Sequence, residues 1–315
     1  MNSIIEIKNL TKRFNRFKAV DGMNLDVPAG SVTAFLGPNG AGKTTTIKCL
    51  LNLHHYDSGE ARVLDCPSHA LGPEQFQKIG YVSENQELPD WMTVTELLDY
   101  VRPMYPDWDR DFEKRMLREF ELPVKNKLRA LSRGQRMKAA LLSSLAYRPK
   151  LVVLDEPFSG LDPLVRDEFL HGLLELTETE GWSVFVSSHD IEEVERLADR
   201  VAIIDKGRIQ LAESAESLQE RFRSVEVILE DQATDPGTLP ATWINTQAVG
   251  RSVRYVDTAF DADQQLEAIR QHFPNALRHE AQPMSLREIF VSLARTYRLS
   301  AHPQAAAHAS AQPTA

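Results

Sequence analysis

A glycine-rich stretch near the start of the chain has the residue types and spacing of a phosphate-binding loop. GPNGAGKTT, residues 37–45, follows the apolar run SVTAFLG and precedes a run with helical spacing. Its glycines let backbone N–H groups close around a phosphate, Lys43 adds positive charge, and the Thr44 hydroxyl can ligate Mg²⁺ at a helix N-terminus. A ligand-free glycine-rich turn is the alternative, which the strand-to-helix position disfavours. The predicted nucleotide-binding residues are Gly37, Pro38, Asn39, Gly40, Ala41, Gly42, Lys43, Thr44 and Thr45.

Two adjacent carboxylates end the apolar run LVVLDEP, residues 151–157. Charge at the end of a buried strand is costly unless a cation compensates for it, and Mg²⁺ is such a cation. Asp155 would hold the metal directly or through water, and Glu156 would orient and polarise a water that attacks a γ-phosphate. Taken alone, an Asp-Glu pair at this place is more often a strand meeting solvent. Together with residues 37–45 it favours metal-assisted phosphate chemistry, with Lys43 and Glu156 among the catalytic residues.

The elements that must position these groups alternate between strands and helices. Continuous apolar runs at residues 31–37, 78–82, 150–156 and 183–189 predict strands buried on both faces. Helical spacing follows Pro163 and recurs from Ile191 to Leu197. This alternation is typical of an α/β fold with a parallel sheet. Residues 90–147 show helical patterns without strands, so we expect a helical insertion there.

A change of pattern near residue 213 predicts a second domain. We expect domain one at residues 1–215 and a small α+β domain at residues 220–298 that regulates or supports a dimer. Its strands are predicted at residues 224–230 and 252–260, and its helices at residues 261–273 and 285–297. Residues 299–315 show no apolar periodicity, which predicts a disordered tail.

Composition excludes several classes of protein. The chain has 315 residues, 36 Lys plus Arg against 45 Asp plus Glu, a formal net charge of −9 and 42% apolar residues. An acidic chain of this kind is not expected to bind nucleic acid. With only Cys49 and Cys66, a disulfide framework and secretion are disfavoured, and we expect a cytosolic protein. Since no apolar run approaches the roughly 20 residues of a membrane span, any membrane role must come through a partner.

Several motifs in a fixed order resemble the ATP-binding subunit of an ATP-binding-cassette (ABC) transporter, over about residues 3–215. They are the loop at residues 37–44, LSRGQ at residues 131–135, LVVLDEP, SGLDP at residues 159–163, and His189 in SSHD. The resemblance implies a P-loop NTPase core with an antiparallel β subdomain and a helical insertion. It further implies an Mg-dependent ATPase, with ATP and Mg²⁺ as cofactors.

The resemblance also assigns roles to residues outside the phosphate loop. Two subunits would pair head to tail, forming a homodimer, so that the LSRGQ residues of one close over the ATP held by the other. His189 would contact the γ-phosphate and Phe14 would stack on adenine, with Phe17 as the competing candidate. Ser132 could instead be an ordinary helix N-cap, His189 a core histidine, and either phenylalanine a core residue. The implied residues of the dimer contact are Ser132, Gly134, Gln135 and Asp162.

Two positions depart from the family pattern. Arg133 stands where the third residue of the LSRGQ motif is usually Gly. Glu84 stands where the loop after the strand KIGYV usually begins with Gln, and Gln86 lies two residues on. Glu84 is predicted to join Thr44 and Asp155 at the metal, the alternative being a solvated loop glutamate. The nearby Trp91 is predicted to anchor a membrane partner.

The function implied is that of an ATP-hydrolysing subunit powering a separate transmembrane permease. The segments GYVSENQ and LSRGQRMKAALLSSLAYRP, with the appended C-terminal domain, resemble the export-type branch. The chain would then lie on the cytoplasmic face of the inner membrane, held there through the permease. One alternative is an ABC ATPase of ribosomes or DNA, disfavoured by the single cassette and the negative charge. Another is a non-catalytic ATP-dependent switch, disfavoured by the presence of Glu156 and His189.

Overall fold

The computed structural model describes residues 2–84, 86–232 and 239–301. The chain divides into two compact units, residues 1–213 and the residues from 214 onward. The strands of the first unit are β1 (Ser3–Phe14), β2 (Phe17–Pro28), β3 (Val32–Leu36), β4 (Ser58–Val63), β5 (Cys66–Pro67), β6 (Ile79–Ser83), β7 (Leu151–Asp155), β8 (Ser183–Ser188), β9 (Arg200–Asp205) and β10 (Arg208–Ser214). Its helices are α1 (Lys43–Leu50), α2 (Pro73–Phe76), α3 (Val94–Val101), α4 (Arg110–Glu119), α5 (Arg133–Leu145) and α6 (Pro163–Glu180).

The central sheet has the strand order β10-β9-β3-β8-β7-β6. Strands β3, β6, β7, β8 and β9 run parallel, as the continuous apolar runs predict. In the pairing register, Asp155 at the end of β7 lies opposite Ser83 on β6 and Ser187 on β8, and Leu36 of β3 lies opposite Ser188. The carboxyl ends of four neighbouring strands therefore coincide at one edge of the sheet, where α/β proteins bind ligands.

A second sheet, of order β2-β1-β4-β5, is antiparallel and shares an apolar core with the central sheet. The core joins Ile5 and Val20 of the antiparallel sheet to Phe35 of β3 and Ile47 of α1. All four side chains are essentially buried, and Phe35 stacks on Phe185 at 5.1 Å between ring centroids. Burial of this apolar surface fixes α1, and hence the loop before it, against both sheets.

Residues 90–147 hold α3, α4 and α5. Each of these helices begins at a side chain that accepts a backbone N–H: Thr93, Asp109 and Ser132. Farther along, the helical spacing from Ile191 to Leu197 proved misleading, because only Ile191–Glu193 form a short 3₁₀ turn. The Glu193 side chain is buried and accepts a hydrogen bond from Ser188 Oγ, which turns this segment inward.

In its described residues, the second unit consists of a four-stranded antiparallel sheet, of order β12-β13-β11-β14, and three helices. Stacked rings of Trp243, Tyr255 and Phe273 form its core, with Ile269 packed among them. The sequence did not predict β12, β14 or the first helix. In chain order the elements are α7 (Ala215–Arg221), β11 (Arg223–Leu229), β12 (Trp243–Val249), β13 (Ser252–Asp257), α8 (Ala262–His272), β14 (Ala276–Pro283) and α9 (Leu286–Ala301).

The predicted tail, residues 299–315, lies outside the described residues except for residues 299–301, which are helical and close α9. Throughout the described part of the chain, none of the helices has the combined length and apolar character that a bilayer crossing requires.

Candidate functional site

Four of the predicted site residues each lie one position beyond a strand of the central sheet. Gly37 follows β3, Glu84 follows β6, Glu156 follows β7 and His189 follows β8. Since β3, β8, β7 and β6 are neighbours in the sheet, residues separated by up to 152 positions in sequence reach one edge together. Strand pairing, rather than local sequence, thus assembles the candidate site.

The loop between β3 and α1 packs against backbone atoms from distant parts of the chain. Gly42 has φ 112°, and a Cβ there would lie 2.4 Å from the carbonyl oxygen of Ala19. Gly207 N–H donates to the Ala41 carbonyl at 2.8 Å. Only glycine fits at position 42, as N-cap of α1, and within the described part of the chain no side chain caps this helix. The N–H groups at the start of α1 are thus available to an anion, which the helix dipole also favours.

Lys43 is buried and stays within this loop. Its Nζ donates to the carbonyl oxygens of Gly37 at 2.6 Å and Pro38 at 3.3 Å, and lies 3.0 Å from Glu156 Oε1. Carbonyls and one carboxylate therefore hold the ammonium group at the place where phosphate oxygens would enter.

Asp155 has the surroundings of a metal-binding carboxylate. Its Oδ1 accepts hydrogen bonds from Thr44 Oγ1 at 3.0 Å and Ser187 Oγ at 2.8 Å. Burial raises the pKa of Asp155 above its usual value, although both hydrogen bonds act to lower it. A buried carboxylate beside a hydroxyl offers the hard oxygen ligands that Mg²⁺ prefers, so these residues fit the predicted ion.

Glu156 lies between a cation and an imidazole. Its Oε2 is 2.8 Å from His189 Nδ1, while Oε1 faces Lys43. Its backbone has φ 52°, a left-handed conformation that costs a non-glycine residue about 1–2 kcal/mol. His189 is 43% exposed at its side chain, so it is not a core histidine. Strain at a buried acid that also pairs with an imidazole is typical of a functional residue.

Lys43, Thr44, Glu156 and His189 line a cleft of about 330 Å³. Phe14 and Phe17 both lie in its wall and are 43% and 63% exposed, so neither belongs to the core. Phe14 packs edge-on to His54 and lies under Lys12 Nζ, whereas Phe17 is the more exposed ring. The lining residues are Phe14, Phe17, Ala19, Asn39, Gly40, Gly42, Lys43, Thr44, Thr45, Glu84, Glu156, Ser159 and His189.

Comparison with known proteins agrees with this geometry. The ABC transporter family model matches residues 20–159. The ABC transporter ATP-binding protein YhaQ of Bacillus subtilis is 34% identical over 210 residues, which are 65% of this chain and 69% of YhaQ. The chain belongs to the ABC transporter ATP-binding proteins. The predicted ABC-type core and family are therefore confirmed.

Two further relatives define the extent of the match. The sulfate/thiosulfate import ATP-binding protein CysA of Burkholderia mallei is 34% identical over 232 residues, 71% of this chain, and the match spans 66% of CysA's length. The dimeric bacterial ABC transporter cassette MJ0796 is 25% identical with a TM-score of 0.61, over 67% of this chain and 98% of that one. The shared part includes the α/β core and its antiparallel β subdomain.

Glu84, one of the two departures from the ABC pattern, lines the cleft and is not simply a solvated loop residue. Its N–H donates to the Asp155 carbonyl at 2.8 Å. Its Oε1 accepts hydrogen bonds from Ser159 Oγ at 2.6 Å and Arg133 Nη2 at 3.3 Å. Gln86 instead bonds to the backbone N–H of Ser83, at 3.3 Å, and does not line the cleft.

The residues of the implied dimer contact do not line the cleft of their own chain. Ser132 and Gln135 form a capping box at the start of α5, which confirms the N-cap alternative for Ser132 as a local role. Asp162 likewise caps α6, through the Val165 N–H at 3.1 Å. A Cβ at Gly134 would lie 2.7 Å from a Val165 methyl group, so close helix packing also requires this glycine.

Sequence reasoning missed Ser187, Ser159 and Glu193. Ser187 precedes the SSHD histidine by two residues and supports Asp155 from the neighbouring strand, so aligning the predicted strands would have found it. Burial raises the pKa of Glu193, and one of its carboxylate oxygens lies within 4.8 Å of ligand atoms of Glu156 and His189. No sequence signal marks Glu193, because its burial depends on the turn after β8.

Proposed function

We propose that this chain binds ATP and Mg²⁺ and hydrolyses the ATP to drive a separate membrane permease. The observation that carries the proposal is the placement of Glu156. One carboxylate oxygen faces Lys43 at 3.0 Å, the other faces His189 at 2.8 Å, and both partners line the same cleft. A carboxylate held between a phosphate-binding cation and an imidazole is placed to act on a water at a γ-phosphate.

Each side chain has a distinct task in this proposal. Lys43 and the N–H groups of the loop bind the β- and γ-phosphate oxygens. Thr44 and Asp155 hold Mg²⁺, which supplies neutralisation of developing phosphate charge. Glu156 orients the attacking water and takes up its proton, while His189 fixes the Glu156 carboxylate. Phe14 or Phe17 stacks on the adenine at the exposed end of the cleft.

A second copy of the chain would complete the site. Ser132, Gly134 and Asp162 do not line the cleft of their own chain, although Ser132 and Gly134 stand at the start of α5, where a helix N-terminus can face an anion. The solved relative MJ0796 is described as a dimeric cassette. Both facts support a head-to-tail homodimer in which each LSRGQ motif closes over the partner's ATP.

The permease would bind near the exposed Trp91, a residue that is 70% accessible although indoles are usually well buried. The chain would then work at the cytoplasmic face of the inner membrane. Export is the direction that the sequence predicts. It gains no support from CysA, which is named as an import protein.

Hydrolysis and transport are tested separately. The purified chain should release phosphate from ATP only with Mg²⁺, and it should co-purify with the membrane protein encoded beside it. In proteoliposomes containing both, ATP outside the vesicle should drive solute movement, and its direction distinguishes export from import. ATP binding without hydrolysis, with the permease present, would contradict the proposal and favour a regulatory switch.

A further inference from the structure

The two departures from the ABC pattern touch each other. Arg133 and Glu84 are 49 residues apart in sequence, yet Arg133 Nη2 lies 3.3 Å from Glu84 Oε1. Arg133 is the first residue of α5, and Glu84 is the first residue beyond β6. Separately, each looks like a tolerated substitution. Together they replace an uncharged pair of residues by a pair of opposite charges.

A third segment, residues 159–160, holds this pair in place. Ser159 Oγ donates to the same Glu84 oxygen at 2.6 Å. The neighbouring Gly160 has φ 65°, and a Cβ built on it would lie 2.3 Å from Arg133 Nη1 and 2.7 Å from the guanidinium carbon. The guanidinium therefore lies directly on the Gly160 backbone, where a side chain would displace it. A hydrogen bond from Ser159 and close packing against Gly160 thus constrain Glu84 and Arg133.

The charges around the cleft explain why such a pair is needed. Asp155 and Glu156 already place two carboxylates at this edge of the sheet, and the Glu84 N–H is bonded to the Asp155 carbonyl. A third carboxylate that moved freely there would repel these two and an incoming triphosphate. A planar guanidinium that engages Oε1 fixes the carboxylate and offsets its charge, and among the described residues both side-chain hydrogen bonds to this carboxylate go to Oε1.

We propose that Arg133 is a positioning residue for Glu84. Packed against Gly160, Arg133 holds the Glu84 carboxylate in the wall of the cleft, where the carboxylate can bind metal-bound water. This rests on the proposed Mg-ATP site. The side chains of the pair are 50% and 35% exposed, so the contact contributes little to folding stability and can exchange as the site fills. Its role is orientation, and its effect should depend on residue 84.

The test measures metal affinity rather than turnover. The probe is Mn²⁺ binding to the full chain saturated with a non-hydrolysable ATP analogue, followed by loss of the free Mn²⁺ electron paramagnetic resonance signal. Arg133→Ala should weaken Mn²⁺ binding about two- to fivefold, the range of an exposed ion pair. In the Glu84→Gln background, Arg133→Ala should change Mn²⁺ affinity little. Arg133→Lys should fail to restore wild-type affinity, since it keeps the charge but loses the planar fork.

Two glycines provide a matched control. Gly160→Ala should reproduce the effect of Arg133→Ala, because the new methyl group displaces the guanidinium. Gly181→Ala has the same φ of 65° but meets nothing within 4 Å, so it reports backbone strain alone and should leave Mn²⁺ affinity unchanged. Thermal unfolding of each variant confirms that it is folded.

The outcomes separate this proposal from the one on which it rests. If the wild-type chain binds neither the ATP analogue nor Mn²⁺ with it, the nucleotide site itself is wrong. The wild-type chain could instead bind both, with Arg133→Ala weakening Mn²⁺ binding equally whether residue 84 is Glu or Gln. That result would refute the positioning role of Arg133 and leave the proposed nucleotide site intact. Equal effects of Gly160→Ala and Gly181→Ala on Mn²⁺ affinity would also refute the positioning role of Arg133.

Discussion

In the first unit, buried Lys43, Asp155 and Glu156 lie at one edge of a sheet, at the start of α1 and the end of β7, whereas in the second unit buried Asp257 ends a strand beside an aromatic core. Asp257 accepts hydrogen bonds from Trp243 Nε1 at 3.2 Å and the Ala259 N–H at 3.0 Å, so it supports its own unit. Lys43 and Glu156 line a cleft instead, and Asp155 is hydrogen-bonded to Thr44, which lines the same cleft. A buried charged side chain therefore indicates a ligand-binding site only where it lies beside a cleft.

The strongest test of this contrast removes the charge of Glu156 and keeps its shape. Glu156→Gln should lower ATP turnover by about 10²- to 10⁴-fold, because the group that takes the water's proton is lost. ATP should still bind, and the variant should accumulate as an ATP-bound dimer. Phosphate release and size-exclusion chromatography with Mg-ATP measure the two effects. A monomer under these conditions would contradict the head-to-tail dimer.

Lys43 comes next in expected effect. Lys43→Met should weaken ATP binding roughly 10- to 100-fold, the value of a lost charge-assisted hydrogen bond. Methionine is chosen because Lys43 is buried rather than at the surface of the loop, so a shorter side chain would add a packing defect. Lys48→Met, on the same helix, is the control and should bind ATP normally. Wild-type affinity in Lys43→Met would overturn the phosphate-loop assignment.

Glu84 should show an intermediate effect that depends on the partner. Glu84→Gln should retain more ATPase activity than Glu84→Ala, because the amide keeps the length and one carbonyl oxygen. The permease-stimulated rate should fall further than the basal rate, since the loop continues to the exposed Trp91. The exposed Glu87 supplies the control variant Glu87→Gln. Equal rates for all variants, with and without permease, would mean that Glu84 has no part in the site.

The smallest effect on ATP binding is expected from deletion of the second unit. A chain ending at residue 213, the boundary between the units, should bind ATP within about twofold of the full chain, because each unit has its own core. Its tendency to dimerise should change more, which sedimentation with Mg-ATP would show. Complete loss of ATP binding in the truncated, folded protein would place part of the nucleotide site in the second unit.

The sequence predicted best those structural features that are determined by residues close together in the chain. The phosphate loop and the two carboxylates at the end of β7 were predictable, since a short motif joined to a strand defines each of them. Strands β12 and β14 were missed because Trp243 is their one buried residue and neither strand shows a clean alternation of apolar and polar residues. The contact between Glu84 and Arg133 was also missed. It depends on the packing of α5 against the loop after β6, which neither residue reveals alone.

The phosphate loop depends on contacts with parts of the chain that are synthesised late. These contacts determine when, during its own synthesis, the protein can first bind a nucleotide. Ala41 accepts its hydrogen bond from Gly207, and β3 pairs with β8 and β9, which are made about 150 residues later. Contacts so distant in sequence form slowly and only once both partners exist. A nascent chain that has already exposed the complete GPNGAGKTT segment should therefore remain unable to hold a nucleotide until the β9–β10 region has left the ribosome.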